Sequence, residues 1–115
     1  MTSKSKHLLL DIWYNDGMMP LFNFLKLNLA RILTKHGQTI LNSQEWQFYP
    51  HGNTIVFLLA SSHASIHTFP EDGYVTIDVY TCDNNFDEKK FMDDFIHCYA
   101  YTKCIKHQVI TRGIK

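Results

Sequence analysis

Apolar and polar residues alternate along this chain with two different periods, and the switches between them divide it into elements. His7 to Tyr14 (HLLLDIWY) is apolar and aromatic and stops at the Asn15-Asp16-Gly17 turn signal, which predicts a strand. From Leu21 the positions Leu21, Leu25, Leu29, Ile32 and Leu33 recur at helical spacing, with Asn23, Asn28, Arg31 and Lys35 opposite and Gly37 placed to end the helix. Thr39 to Tyr49 and Thr54 to Ala60 read as strands about a Pro50-His51-Gly52-Asn53 turn, and the second is apolar on both parities, as a central strand would be. Ser62 to Phe69 and Tyr74 to Cys82 follow as two more strands around Pro70-Glu71-Asp72-Gly73. Phe91, Met92, Phe95, Ile96 and Tyr99 mark a second amphipathic helix, with Asp83-Asn84-Asn85 as its expected cap, and a last strand runs roughly from Lys103 to Thr111.

The order strand, helix, four strands, helix, strand predicts an α+β fold, a two-layer sandwich of a mainly antiparallel sheet with two helices on one face. Parity adds detail. Ala64 and Ile66 share one face of their strand, and His63, Ser65, His67 and Phe69 share the other; Val75, Ile77 and Val79 oppose Tyr74, Thr76, Asp78, Tyr80 and Cys82 on the next. Each strand thus offers a plain apolar face to the helices and leaves a polar, aromatic face for chemistry or a partner.

Composition narrows the function. At 115 residues, with no linker or repeat, residues 1–115 are expected to form a single domain. The apolar share of 45%, with 14% aromatic and 19% charged residues, is enough to build a core. Eleven Lys and Arg balance eleven Asp and Glu, so there is no basic field to capture nucleic acid. Apolar runs such as Ile55 to Ala60 are far shorter than the roughly 20 residues that span a bilayer, so no membrane is expected and the protein reads as cytoplasmic. Cys82, Cys98 and Cys104 lack the spacing of a disulfide framework or zinc knuckle, and the plainest role for each is a small buried hydrophobe. His63 and His67 share a strand face, but four residues of strand put them about 13 Å apart, too far to ligate one ion, so no metal is expected.

The run SSHASIHTFPEDGYVTIDVYTC, Ser61 to Cys82, closely resembles the core of the prokaryotic S-adenosylmethionine decarboxylase proenzymes, whose common form is ESHxxIHTxPExGYxxxDxxTC. HLLLDIWYND resembles the family's first strand, and Phe48 to Thr54 (FYPHGNT) is similar to its F-x-P-x-G-x-S/T segment. The resemblance covers most of the chain, although the last 30 or so residues match only in pattern. It implies a pyruvoyl-dependent enzyme that decarboxylates S-adenosylmethionine to provide the aminopropyl donor for spermidine. It also implies that the Ser62 hydroxyl attacks the carbonyl of Ser61, that the peptide becomes an ester, and that elimination leaves a pyruvoyl group at residue 62. The products would be chains 1–61 and 62–115. Such a group meets a physical need, because decarboxylation leaves an electron pair on Cα that ordinary side chains cannot hold.

By the same resemblance His67 assists the elimination, Thr54 supports processing, and Cys82 protonates Cα once a Schiff base has formed and carbon dioxide has left. Strand parity puts Cys82 on the face that carries His67. Phe48 and Phe69 match the positions that hold adenine, Phe69 standing where Trp is frequent, and Glu71 matches the acceptor of the two ribose hydroxyls. Ser61 departs from the family's usual Glu at the residue before the cut. The shift consumes the Ser61 carbonyl rather than its side chain, so the chemistry stays open while the local charge changes. Two alternatives stand beside this reading: an arginine or ornithine decarboxylase of the same family, and a non-cleaving homologue that pairs with an active subunit. Tyr74, Tyr80 and Phe69 on the free face call for a partner sheet, and the resemblance implies a homodimer whose sites are lined by both chains.

Overall fold

The computed structural model describes residues 4–114. The elements are β1 (Ser5–Tyr14), α1 (Phe22–Lys35), β2 (Ile40–Gln47), β3 (Asn53–Leu59), β4 (Ser62–Phe69), a 3-10 turn (Pro70–Asp72), β5 (Tyr74–Thr81), α2 (Glu88–Asp94), a second 3-10 turn (Phe95–Cys98) and β6 (Thr102–Arg112). The strands form one six-stranded sheet in the order β2-β3-β4-β5-β1-β6, antiparallel at every pairing. The expected α+β sandwich is what forms.

Register explains why one face closes. Leu8, Leu10 and Ile12 of β1 lie opposite Val79, Ile77 and Val75 of β5. Ala64 and Ile66 of β4 lie opposite the same Val79 and Ile77, and Phe57 and Ile55 of β3 continue the rows. All are buried in one cluster with Leu25, Leu29, Ile32 and Leu33 of α1 and Phe91 and Phe95 from the second helical segment. Each of these side chains larger than alanine contributes about 1.5 to 3 kcal/mol on burial, so a one-residue slip, which would turn whole rows to water, is strongly disfavoured.

The helices depart from the sequence reading in three places, each for a local reason. Leu21 precedes the first helical residue and is exposed. The cap of α2 is Asp87, whose side chain accepts from the backbone N–H of Lys90 at 3.1 Å, rather than the earlier Asp83-Asn84-Asn85 cluster. Asp83 is engaged elsewhere, since its Oδ1 accepts from the N–H of Asn85 at 2.9 Å. The second helix is also shorter than its apolar spacing suggested: it tightens at Phe95, and the carbonyl of Cys98 is taken by the Tyr14 hydroxyl. The side chain of Ile96 lies outside the described residues. Burial pushes the Cys98 thiol up to about 12, as suits a space-filling cysteine.

β3 is half-buried rather than enclosed. Ile55, Phe57 and Leu59 are in the core, but Val56 and Leu58 remain 42% and 53% exposed on the opposite face. No helix among the described residues is long and apolar enough to cross a membrane.

Candidate functional site

The sequence-derived site residues fall into two groups at opposite ends of β4. At its start, Ala60 and Ser61 link β3 to Ser62, the first residue of β4. Ser62 is 8% exposed. Its Oγ donates to Thr81 Oγ1 at 3.2 Å and accepts from the N–H of Cys82 at 3.4 Å. The Ser62–Thr81 pairing of β4 with β5 makes both contacts possible. The Ser62 hydroxyl is thus held between a threonine oxygen and a backbone donor, and the residue that supplies the donor carries a thiol.

At the far end, Thr54 Oγ1 and His67 Nδ1 are hydrogen-bonded at 2.8 Å on the open face, as the pairing of Thr54 with His67 dictates. Phe69, two residues on, is partly exposed and stacks on Tyr74 with ring centroids 5.4 Å apart. Tyr74 stacks in turn on Trp13 at 4.7 Å and donates to Asp11 Oδ1 at 3.0 Å. Phe48 is half-exposed just beyond β2, where its N–H meets the carbonyl of Gly52 at 2.8 Å. Glu71 lies in the adjoining turn and lines a cavity of about 620 Å³ with Asp16, Met19, Phe22, Asn53 and Thr68. Thr54, His67, Phe48, Phe69 and Glu71 therefore gather at one end of the sheet.

The two groups do not meet within one chain. Ser62 and His67 are five residues apart on a straight strand, about 16 Å at 3.3 Å per residue, and odd spacing turns them to opposite faces. The parity argument for Cys82 also needs correction: β5 ends at Thr81, so Cys82 lies past the strand, where alternation no longer sets its direction. Its place beside Ser62 rests on the backbone contact instead.

Between the two ends, Asp78 forms a hydrogen bond with His7 Nε2 at 2.8 Å through one oxygen and accepts from Ser65 Oγ through the other, joining β1, β4 and β5. Beside it His63 stacks on Tyr80 at 5.2 Å, and Arg112 lies over the Tyr80 ring. Sequence reading placed these rings and acids on the free face but not the network, because it did not pair β1 with β5. Thr81 was missed as the partner of Ser62 for a similar reason: it is a polar residue on the apolar parity, 1% exposed, and that mismatch was the available signal. No group of three or more potential metal ligands occurs among the described residues.

Comparison with known proteins bears on this geometry. Residues 6–113 match the family model described as S-adenosylmethionine decarboxylase. The S-adenosylmethionine decarboxylase proenzyme of Brevibacillus brevis is 36% identical over 110 residues, 95% of this chain and 82% of that protein. The corresponding proenzyme of Aquifex aeolicus is 49% identical over 76 residues, 66% of this chain and 56% of that one. The crystal structure of the adenosylmethionine decarboxylase from Aquifex aeolicus superimposes with a TM-score of 0.78 at 37% identity, covering 96% of this chain and 92% of that chain.

Proposed function

The chain belongs to the S-adenosylmethionine decarboxylase family of enzymes, and from that premise we propose that it cleaves itself between Ser61 and Ser62 and then decarboxylates S-adenosylmethionine to the aminopropyl donor used for spermidine. The observation that carries this reading is the placement of Ser62, which starts β4 beside Cys82 with its Oγ held by Thr81. The pyruvoyl group formed from Ser62 supplies the carbonyl sink for the electron pair left on Cα. Cys82, on the residue whose N–H meets Ser62 Oγ, delivers the proton to Cα. Phe48 and Phe69 hold the adenine ring, where an aromatic face also favours the nearby sulfonium by about 0.5 to 2 kcal/mol. The Trp13–Tyr74–Phe69 stack limits how far the Phe69 ring can turn. Glu71 accepts both ribose hydroxyls with its two oxygens.

Sheet order supports survival of the fold after the cut. Chain 1–61 keeps β1, β2, β3 and α1, while 62–115 keeps β4, β5, α2 and β6. Because β1 lies between β5 and β6, the two pieces interleave.

The separation of Ser62 from His67 supports a homodimer. Two sheets packed by their open faces, running in opposite directions, set the end of the sheet that carries Ser62 and Cys82 in one chain against the end that carries Thr54, His67, Phe48, Phe69 and Glu71 in the other, twice. The Ser62 hydroxyl reaches the shared site from the core side of β4 at the strand's first residue. Val56 and Leu58, exposed on the open face, would then be covered.

Intact mass under denaturing conditions tests the reading. Wild type is expected as chains 1–61 and 62–115, and Ser62→Ala as one uncut chain. An uncut wild-type chain after long incubation would support the non-cleaving homologue instead. Substrate is tested separately with Glu71→Gln, which turns one ribose acceptor into a donor. That variant should weaken S-adenosylmethionine binding by about 1 to 3 kcal/mol, read as a raised KM with little change in kcat. An unchanged KM removes Glu71 from the site and favours arginine or ornithine as substrate.

A further inference from the structure

We propose that Asp83 supplies the carboxylate that promotes cleavage at Ser61–Ser62, acting on the amine that the peptide nitrogen of residue 62 becomes. The inference rests on the reading of Ser62 as the site of self-cleavage and goes beyond it by naming the group that drives the shift. In the first step Ser62 Oγ–H adds to the Ser61 carbonyl carbon, the C–N bond breaks, and the hydroxyl proton passes to the departing nitrogen. An ester and a free amine result. Exchanging an amide for an ester is uphill, and the shift is drawn forward when the amine takes a proton from water, since an α-amino group has an ordinary pKa of about 8. A carboxylate beside the resulting ammonium stabilises the ester form and not the starting amide.

Asp83 is placed for that role. Ser62 pairs with Thr81, so two residues further along Asp83 comes beside the segment that precedes Ser62. It lines a cavity of about 240 Å³ together with Ser61, Ala60, Thr39, Gln38 and Gly37. Its Oδ2 accepts from Nε2 of the buried Gln38 at 3.1 Å and its Oδ1 from the N–H of Asn85 at 2.9 Å. A carboxylate has about four lone-pair sites, so these two bonds orient it and leave capacity for an ammonium. The Asp83 N–H also donates to Thr81 Oγ1 at 3.0 Å, the atom that receives Ser62 Oγ–H. The same stretch of backbone thus sets both the nucleophile and the carboxylate. Lys4 and Lys6 line a separate cavity with Asp83, and the Lys6 ammonium is paired with Glu88 at 3.1 Å. Ser61 carries no charge, so among the residues that line this cavity with Ser61, the residue before the cut, Asp83 is the acid.

The test is the time course of cleavage of freshly translated full-length chain, followed by intact mass. Asp83→Asn should slow cleavage about 10- to 150-fold, the range for a hydrogen bond to a charged group, with secondary structure and thermal midpoint checked in parallel. Adding Ser61→Glu to Asp83→Asn returns a carboxylate to the same cavity and should recover most of the rate. Cleavage of Asp83→Asn at the wild-type rate overturns this inference alone, and an uncut wild-type chain overturns the self-cleavage reading with it. If Asp83→Asn does not fold, Ser61→Lys compared with Ser61→Gln decides the matter. The lysine ammonium should occupy Asp83 and cleave at least tenfold more slowly than the glutamine variant, whereas equal rates overturn the proposal.

Discussion

Co-expressed with a Ser62→Ala chain, a His67→Ala chain should be cut between Ser61 and Ser62, although neither variant is cut at an appreciable rate alone. Ser62→Ala has no nucleophile. His67→Ala loses a positioned acid–base group, worth typically 10² to 10⁴ in rate. About 16 Å of strand and opposite faces keep Ser62 from the His67 of its own chain. In a mixed dimer one site pairs the Ser62 of the His67→Ala chain with the partner's His67, and the other site has neither group. Mass spectrometry should therefore find fragments 1–61 and 62–115 from the His67→Ala chain only. If co-expression leaves that chain uncut, or if wild type cuts equally fast when diluted to monomers, the shared site is wrong.

Cys82→Ala should cleave itself normally and then turn over about 10² to 10⁴ times more slowly, because removal of the thiol affects the protonation of Cα and not the acyl shift. The hydrogen bond from residue 82 to Ser62 is made by its backbone N–H, and alanine keeps it. The space-filling alternative predicts near-normal turnover with a modest loss of stability. A second readout separates the two. Without its donor, Cα is sometimes left unprotonated while the proton goes to the neighbouring carbon, which leaves the amine on residue 62 and converts that residue to alanine. Chain 62–115 of the variant should change mass during turnover and lose activity with it. An unchanged chain after thousands of turnovers at the wild-type rate would falsify the assignment.

Much of the candidate site was readable as a proposal because its residues lie in one run from Ser61 to Cys82 that resembles a family pattern, and the curated relatives bear the family out. Chemistry per residue type was legible too: a serine and a cysteine at motif positions, a carboxylate in a turn, rings on an open face. The parts not legible depend on pairs distant in sequence. Thr81 looked like a strand residue of no consequence until pairing set it against Ser62. Asp83 looked like a helix cap, and the cap proved to be Asp87.

Alternating and helical periods by themselves determined the element order, the faces that β4 and β5 turn inward and the α+β class, because those depend on neighbours within a few residues. What only the tertiary structure decided is which strands lie side by side. β1 enters between β5 and β6, a pairing set by matching apolar rows such as Leu8, Leu10 and Ile12 with Val79, Ile77 and Val75. That register brings His7 to Asp78 and Trp13 to Tyr74, and the hairpin of β4 and β5 brings Thr81 and Cys82 to Ser62. It also holds His67 at the opposite end of a stiff strand. A strand advances about 3.3 Å per residue without folding back, so residues five apart in a motif are kept from one another within one chain.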